Sequence, residues 1–286
     1  MITDWQVGHG RSLKLGGSAV LVGVLNVTPD SFSDGGRFNI ADAAISQAKL
    51  MIGQGASIID IGGESTRPGA EPVDAGMEQA RILPVIEAVA AETKALISVD
   101  TYRPETARLS IKEGAHIVND VTGLQSDPSM ASLVGKTGSG ICIMHTGRGR
   151  EKLPDVIEDQ FAFLRKSLEI AFAAGIAEAS IILDAGFGFA KETDAENLEL
   201  MARFRELCDL GFPLMAGTSR KRFIGHLTGR EPKDRDVATA ATSVLLRLAG
   251  ADLFRVHDVA INRDALLVAD AMLAAKRALT GRPARG

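Results

Sequence analysis

Short apolar segments of this sequence end, one after another, in a side chain that can hydrogen-bond, carry charge or bind a cation. Three aspartates, two asparagines, two histidines and one serine occupy these ends. In chain order they are Asn26, Asp60, Asp100, Asn119, His145, Asp184, Ser219 and His257. Strands often end in Asp or Asn for reasons of turn geometry alone. Repetition at nearly every segment nevertheless favours one shared polar site.

Two of the later segments carry groups that suit an anion. The seventh segment continues into GTSRKRFIG from Gly217, where a glycine, a serine and a basic helix start combine backbone N–H groups with positive charge. The last segment carries Arg255 and His257 at alternate positions, so both side chains point to one side of a strand. Two such donor groups suit a pyrophosphate. These features predict a site for an anionic leaving group and a polar heterocycle.

Two loops rich in glycine, proline, serine and threonine follow the first two apolar segments. They read NVTPDSFSDGGRF from Asn26 and GGESTRPGAEP from Gly62. Loops of this composition serve as mobile lids or as anion-binding loops. Each loop taken separately is equally consistent with an ordinary surface connection.

The elements that must position these residues are eight apolar segments alternating with helical patterns. Most segments are rich in Ile, Val and Leu without polar alternation, which is typical of strands buried on both faces of a parallel sheet. They span residues 19–26, 57–63, 95–100, 116–120, 140–145, 180–186, 213–219 and 253–258. Glycine is the expected stop signal past a helix C-terminus. It occurs before the next segment at Gly55, Gly114, Gly175, Gly211 and Gly250.

This alternation predicts an α/β protein with a single (β/α)₈ TIM barrel, in which the C-terminal strand ends form the active-site face. We expect residues 1–18 to be an N-terminal extension, as a small hairpin covering the barrel bottom. Residues 19–276 form the barrel and residues 277–286 a C-terminal tail. An open doubly wound sheet is the alternative. It would carry fewer strands and a glycine-rich turn after the first one, and the sequence shows neither feature.

The composition is that of an ordinary globular protein, with 286 residues, 45% hydrophobic and 24% charged, and a net charge of −4. This charge argues against a general nucleic-acid binder. Cys142 and Cys208 lack metal-ligand spacing, and we interpret them as free thiols in a reducing compartment. The first residues lack the apolar stretch of a secretory signal, and no apolar run could span a bilayer. We therefore expect a cytoplasmic protein without membrane contact.

Seven motifs, in order along the chain, resemble those of the dihydropteroate synthases, a pterin-binding family. They are NVTPDSFSDGG from Asn26, IDIGGESTRPGA from Ile59, SVDT from Ser98, IVND from Ile117, LDAGFGF from Leu183, GTSRKRF from Gly217 and RVHD from Arg255. The first two are long and highly specific. The resemblance implies that 6-hydroxymethyl-7,8-dihydropterin pyrophosphate and p-aminobenzoate give 7,8-dihydropteroate and pyrophosphate. This transferase step of folate biosynthesis uses Mg²⁺ and is inhibited by sulfonamides.

The resemblance also implies which residues bind the pterin pyrophosphate. Asp184 would accept from the pterin amino group and ring N–H, and Lys221 would donate to the pterin carbonyl. Arg255, with His257 and Thr66, would neutralise the leaving pyrophosphate. The whole implied set is Thr66, Asp100, Asn119, Met144, Asp184, Gly217, Lys221, Arg255 and His257.

A second implied set binds p-aminobenzoate. It comprises Phe32, Thr66, Arg67, Pro68, Phe189, Ser219, Lys221 and Arg222. Phe32 and Pro68 would wall the pocket, and Ser219 with the basic helix start would hold the carboxylate. Asn26 is the implied Mg²⁺ ligand. The implied catalytic residues, for a mechanism in which pyrophosphate leaves first, are Asp30, Asp100, Lys221 and Arg255.

Four neighbouring side chains are expected to play supporting parts. We expect Asp60 to be structural, Glu64 to brace the second loop, Arg67 to shape that loop as well, and His145 to support the site.

The sequence departs from the family pattern in two places. Ala185 stands where the family usually has proline, which we expect to relax that turn slightly. Residues 146–152 lack the usual proline-containing form, and we expect an altered loop shape away from the ligand positions. The p-aminobenzoate loops carry no insertion like that of mobile sulfonamide-resistant relatives, so we expect a sulfonamide-sensitive enzyme.

Two other functions share a pterin pocket and stay open at this point. A corrinoid-type methyltransferase domain would need neither the NVTPDSFSDGG loop nor the SRK element, and both are present. A non-catalytic pterin-binding homologue usually loses its charged site residues, which are intact here.

We also expect a homodimer, with the alanine-rich stretch 238–248 packing on a partner. A third alternative is partnership in trans with a separate folate enzyme.

Overall fold

The computed structural model describes residues 3–28, 37–64 and 73–280, with the side chains of 37–40 and 280 left aside. Eight parallel strands close into a barrel in the order β10-β3-β4-β5-β6-β7-β8-β9. These strands are β3 Val20–Asn26, β4 Ile58–Gly62, β5 Leu96–Asp100, β6 Ile117–Asp120, β7 Gly140–Met144, β8 Ile181–Asp184, β9 Leu214–Ala216 and β10 Leu253–Val256. The predicted (β/α)₈ barrel is confirmed.

Helices follow the barrel strands and surround them. They are α1 Arg37–Gln54, α2 Ala75–Glu92, α3 Pro104–Lys112, α4 Pro128–Thr137, α5 Val156–Ala173, α6 Asp194–Ala202, α7 Arg222–Thr228, α8 Asp236–Leu248 and α9 Val259–Thr280. Short 3₁₀ turns lie at Glu178–Ser180, Phe204–Leu210 and Pro232–Asp234. The connection from β9 to β10 contains both α7 and α8, so α7 lies directly after the strand end where the basic segment was predicted.

The glycines that were expected to stop helices have the required backbone. Gly55, Gly114 and Gly250 each have φ +112°, and Gly175 and Gly211 have φ +78° and +83°. L-residues rarely adopt this left-handed region, whereas glycine does so without a Cβ clash. Each glycine turns the chain from a helix back toward the next strand, so the helices return to the outside of the barrel.

A two-stranded hairpin covers the amino-terminal ends of the barrel strands. Strand β1 (Thr3–Val7) pairs antiparallel with β2 (Arg11–Leu15). The buried Trp5 donates its indole N–H to the carbonyl of Ser180, just before β8, at 2.9 Å. The backbone N–H of Gly8 donates to the carbonyl of His116, just before β6, at 2.8 Å. This end of the barrel is therefore closed by an apolar cover, and chemistry must occur at the other end.

Apolar residues fill two regions, one between the strands and helices and one inside the barrel above the hairpin. The inner region contains the thiol of Cys142, whose pKa burial raises well above its ordinary value. Cys142 and Cys208 are free thiols, as expected. None of the helices in the described ranges is long and apolar enough to cross a membrane.

The C-terminus differs from the expectation in one respect. Helix α9 continues to Thr280, so residues 277–280 of the predicted tail are helical. The reason is local, because the final stretch is rich in Ala, Lys, Arg and Leu, which extend a helix without needing a core. Residues 281–286 lie outside the described ranges.

Candidate active site

The carboxyl ends of the barrel strands open into a cavity of about 430 Å³, at the end opposite the hairpin. Nine of the predicted site residues line it. They are Asn26, Asp100, Phe189, Gly217, Ser219, Lys221, Arg222, Arg255 and His257. The fold therefore gathers side chains from strand ends and loops that are more than 200 residues apart in sequence, as the strand-end pattern predicts.

Three predicted pterin residues are buried at the same level but do not line this cavity. Asn119, Met144 and Asp184 lie at or near the carboxyl ends of β6, β7 and β8. Asn119 is the register partner of the cavity residue Asp100. A Cβ added to Gly217, which lines the cavity, would lie 3.8 Å from Asp184 Oδ2. These three side chains thus lie close beneath the cavity.

The remaining predicted residues fall outside the described ranges. They are Asp30 and Phe32 of the first loop and Thr66, Arg67 and Pro68 of the second. Their roles stay predictions.

Two carboxylates hold the guanidinium of Arg255. Arg255 Nε donates to Asp60 Oδ2 and Nη2 donates to Asp100 Oδ2, both at 2.6 Å. Burial opposes the charge of the guanidinium, but Asp60 and Asp100 keep the pKa of Arg255 above its ordinary value. Asp60 is consequently more than a structural residue, because it fixes the orientation of a cation that faces the cavity. The sequence alone did not reveal this contact.

Burial raises the pKa of Asp100 to about 7, against the opposing effect of Arg255. The neighbouring carboxylate of Asp60 adds to the rise. Asp100 therefore titrates near neutral pH, which suits a group that exchanges a hydrogen bond or a proton with a ligand.

Two buried acceptors in this region have no hydrogen-bond partner among the residues that the structure describes. They are Asn119 Oδ1 and Asp60 Oδ1. Asn119 Nδ2 donates to Asp60 Oδ2 at 3.4 Å, which fixes the orientation of the amide. Buried acceptors in native proteins are almost always satisfied by protein, water or ligand. The arrangement therefore suits a ligand that supplies N–H donors.

The third buried acid, Asp184, is partly satisfied. Its Oδ1 accepts from the backbone N–H of Gly186 at 2.8 Å. Burial raises its pKa, while Lys221, Arg255 and Lys191 act to lower it. Gly186 has φ +60°, and a Cβ there would collide with the carbonyl oxygen of His145. This turn after β8 consequently requires glycine, and it presents Asp184 to the space under the cavity.

Lys221 supplies a cation close enough to Asp184 for each group to shift the pKa of the other. Its Nζ donates to the carbonyl oxygen of Phe187 and lies 4.6 Å from the ring centre of Phe189. Burial lowers the pKa of Lys221 to about 7, although Asp184 acts to raise it. Lys221 therefore gains or loses its proton near neutral pH. It does so beside Asp184, a carboxylate that can accept hydrogen bonds from a ligand. Its pKa would rise if a ligand brought further negative charge.

Ser219 and His257 connect the ends of β9 and β10. Ser219 Oγ lies 2.8 Å from His257 Nδ1 and accepts from the His257 backbone N–H at 3.1 Å. Ser219 was expected to hold a carboxylate directly. In the structure it also fixes the imidazole of His257 at the cavity wall. Arg222 reaches the loop after β8, where its Nη2 donates to the carbonyl of Glu192 at 3.3 Å.

The loop at residues 146–152 does not lie away from the ligand positions, and that prediction was wrong. Arg148 lines the cavity and places its guanidinium carbon 4.6 Å from the ring centre of Phe189. Two contacts dock this loop on the loop after β8. Gly147 N donates to the Phe189 carbonyl at 3.4 Å, and Lys152 Nζ donates to the Ala190 carbonyl at 2.6 Å. These contacts position Arg148 at the wall of the cavity.

His145 supports the site, as predicted, through a buried network. Its Nε2 lies 3.0 Å from Asp159 Oδ2, and its Nδ1 lies 3.1 Å from Lys191 Nζ. Lys191 also donates to the Gly186 carbonyl at 2.9 Å. Burial lowers the pKa of Lys191 to about 7 and that of His145 to about 4. Lys191 lines the cavity and was missed, since one lysine after a glycine-rich motif carries no distinctive signal.

Glu64 and Ala185, which were expected to have local roles, each take part in a defined hydrogen bond. Glu64 accepts from Arg103 Nη1 at 2.6 Å, which braces the start of the second loop as expected. The turn containing Ala185 is held by the Gln160 amide, which donates to the Ala185 carbonyl at 2.8 Å. This bond and the Gly186–Asp184 bond hold the turn at Ala185, and the slight relaxation expected there stays a prediction.

The described residues hold no cluster of three or more His, Cys, Asp or Glu side chains that could form a closed metal site. Asn26 lies at the end of β3 and lines the cavity. Mg²⁺ often takes only one or two protein oxygens and fills its shell with water and substrate phosphate oxygens. The carboxamide of Asn26 fits that open type of site and does not fit a protein cage.

Comparisons with known proteins agree with this geometry. A model of the family described as pterin binding enzyme matches residues 22–257. The dihydropteroate synthase of Bacillus subtilis (strain 168) is 44% identical over 274 residues, which is 95% of both chains.

Two solved structures show the same fold. Xanthomonas albilineans dihydropteroate synthase with 4-aminobenzoic acid is 41% identical, with TM-score 0.90, covering 95% of this chain and 99% of that one. Yersinia pestis dihydropteroate synthase in a sulfonamide drug complex is 38% identical, with TM-score 0.86, covering 94% and 98%. With these similarities along nearly its whole length, the chain belongs to the pterin binding enzyme family and, within it, to the dihydropteroate synthases.

Proposed function

We propose that this chain condenses 6-hydroxymethyl-7,8-dihydropterin pyrophosphate with p-aminobenzoate, giving 7,8-dihydropteroate and pyrophosphate. The observation that carries the proposal is the set of buried acceptors beneath the cavity, of which Asn119 Oδ1 and Asp60 Oδ1 have no partner within the described ranges of the chain. A pterin presents an amino group and ring N–H groups on one edge, which are the donors that such acceptors need.

The pterin would be recognised from three sides. Asp184 accepts from the amino group and the adjacent ring N–H, and Asn119 satisfies the remaining edge. Lys221 donates to the pterin carbonyl and ring nitrogen. Asp100 accepts from the N–H of the reduced ring, which favours release of electron density toward the reacting methylene. A buried site that pairs each polar group rejects analogues lacking those groups.

The pyrophosphate would leave toward the cationic side of the cavity. Arg255 is fixed there by its two carboxylates and His257 by Ser219. Preorganised cations stabilise charge that develops on a leaving group without a cost of reorganisation. Mg²⁺, when bound with Asn26 as its protein ligand, would neutralise phosphate charge and orient the leaving group. Asp30 would stabilise the pterin cation, and Thr66 would assist the pyrophosphate.

The aniline nitrogen of p-aminobenzoate then attacks the methylene carbon. It needs no strong base, because its proton becomes acidic once the C–N bond forms. Phe189 lines the cavity where the aromatic ring would lie, and Ser219, Lys221 and Arg222 surround the carboxylate position. Phe32, Arg67 and Pro68 would complete this pocket from the two loops.

The proposal is tested by measuring pyrophosphate release from the pterin pyrophosphate with Mg²⁺, with and without p-aminobenzoate. Lys221→Ala removes the cation beside Asp184, and Lys166→Ala removes an exposed lysine of α5 as a matched control. We expect p-aminobenzoate-dependent release that persists in the control and collapses in Lys221→Ala. Pterin binding without release would instead favour a methyltransferase-like or regulatory protein.

We also propose that the chain is a cytoplasmic homodimer that binds neither nucleic acid nor membrane. Supporting the dimer, α8 and α9 leave large apolar side chains more than half exposed, namely Val237, Leu245, Leu267 and Val268. Exposed apolar groups on neighbouring helices are typical of subunit interfaces. Light scattering of the purified chain should give twice the monomer mass, and Val268→Asp should reduce it. A monomer at micromolar concentration would contradict this proposal.

A further inference from the structure

The loop between β7 and α5 brings a cation to the cavity that none of the site motifs contains. Arg148 lines the cavity, and its guanidinium lies over the ring of Phe189. Lys221 Nζ lies at the same distance, 4.6 Å, from that ring centre. The positive charge of Arg148 is close enough to act on Lys221, whose pKa it helps to lower. Two cations thus face one aromatic ring at one side of the cavity.

The position of Arg148 is built by its loop. Beyond the backbone contacts of Gly147 and Lys152, Lys152 Nζ pairs with Glu196 at 2.6 Å. Arg150 pairs with Asp159 at 2.7 Å, and Leu153 N donates to Asp159 Oδ1 at 2.9 Å. The loop is therefore anchored on both sides of Arg148, to the β8–α6 connection and to helix α5. An anchored loop presents its side chain in a defined place.

The two anions of the proposed reaction would lie on different sides of the cavity. Arg255 lies in β10, His257 directly follows β10 and Asn26 ends the adjacent strand β3, and these residues suit the pyrophosphate. Arg148 and Phe189 follow β7 and β8, and β7 lies across the barrel from β3 in the strand order. Because Arg148 lies on the ring that would face the aromatic substrate, its charge is placed for that substrate rather than for the pyrophosphate.

We propose that Arg148 is a specificity-determining residue that recognises the carboxylate of the aromatic amine substrate while it packs on Phe189. This inference rests on the proposed function. A guanidinium that stacks on an aromatic ring can also offer its planar fork of N–H donors to a carboxylate at the ring edge. The residue supplements the group around Ser219 and Arg222, and it discriminates in favour of acidic aromatic amines.

The experiment compares p-aminobenzoate with the neutral 4-aminobenzamide as acceptor in the wild type and in Arg148→Met. The matched control is Arg165→Met, since the exposed Arg165 lies 4.8 Å over the Phe161 ring on α5, outside the cavity lining. We expect kcat/KM for p-aminobenzoate to fall about tenfold in Arg148→Met, as for loss of one charge-assisted contact. This loss should appear as a higher KM for p-aminobenzoate, with kcat unchanged. With 4-aminobenzamide the same variant should match the wild type, and Arg148→Lys should restore part of the difference.

Other outcomes overturn the inference. Equal losses with both acceptors would show that Arg148 only supports the loop. A higher KM for the pterin pyrophosphate alone would place the charge with the leaving group. If the wild type released no pyrophosphate with p-aminobenzoate, the proposed function itself would fail. That result is distinct from an active wild type whose Arg148→Met variant is unchanged.

Discussion

Substitution of Asp60 tests how the site is held together, because the structure shows a contact between Asp60 and Arg255 that the sequence did not predict. The Asp60 side chain is 1% exposed and bonds Arg255 Nε at 2.6 Å, while the Arg255 side chain is 22% exposed. Asp60→Asn preserves the shape and removes the charge. Breaking a buried ion pair costs about 3–5 kcal/mol. Arg255 keeps Asp100 and some solvent, so we expect a loss of about 2 kcal/mol in the free energy of unfolding, or roughly 5 °C in Tm.

The same substitution should also lower catalysis, since Arg255 loses the partner that orients it. We expect kcat/KM for the pterin pyrophosphate to fall by on the order of tenfold, the effect of about 1.4 kcal/mol on the transition state. Thermal unfolding and steady-state pyrophosphate release measure the two effects. The matched control is Asp264→Asn, whose carboxylate also pairs with an arginine but is 69% exposed. The reasoning is refuted if Asp60→Asn is as stable and as active as that control.

Four further predictions follow from other contacts. Because the pKa of Asp100 is about 7 in the folded chain against 3.8 ordinarily, its stabilising contribution is present below about pH 4 and lost as pH rises through 7. Urea unfolding of Asp100→Asn should therefore show a smaller decline in stability over that range, and an identical decline would contradict the assignment. Lys191→Met removes bonds to His145 and Gly186, so we expect Tm to fall by about 2–6 °C and KM for p-aminobenzoate to rise as Phe189 loosens. An unchanged KM would show that the network does not position Phe189. Asn26→Ala should raise the Mg²⁺ concentration needed for half-maximal activity, and an unchanged Mg²⁺ titration would remove Asn26 from the metal site. Growth that depends on this chain in a host lacking its own synthase should be inhibited by sulfamethoxazole, and resistance would contradict the inference from the uninterrupted loops.

The barrel could be predicted because its strands are encoded locally. The apolar segments lack polar alternation, and the glycines after the helices have the positive φ that turns require. The meeting of the polar strand-end residues in one site then follows from barrel geometry, since all eight carboxyl ends lie at one face. Motif resemblance added the identity of the ligands.

The pairings within the site could not be predicted in this way. Asp60 and Arg255 are 195 residues apart, and their bond exists only because β10 closes the barrel beside β3 and near β4. Strand-end patterns show that both residues reach one face but not which acid binds which base. Arg148 was missed for a related reason. Its loop is held by hydrogen bonds to the backbone carbonyls of Phe189 and Ala190. Because every residue has such a carbonyl, these contacts cannot be predicted from the types of side chain in the sequence.

The most direct test of the central claim is to identify the product. The purified chain would be incubated with the pterin pyrophosphate, Mg²⁺ and ¹³C-labelled p-aminobenzoate, and the mixture analysed by mass spectrometry. The account predicts labelled 7,8-dihydropteroate in amounts equal to the pyrophosphate released, and none of it with Lys221→Ala. Pyrophosphate release without labelled dihydropteroate would show that the site cleaves the pterin pyrophosphate but does not join the two substrates, and would contradict the account.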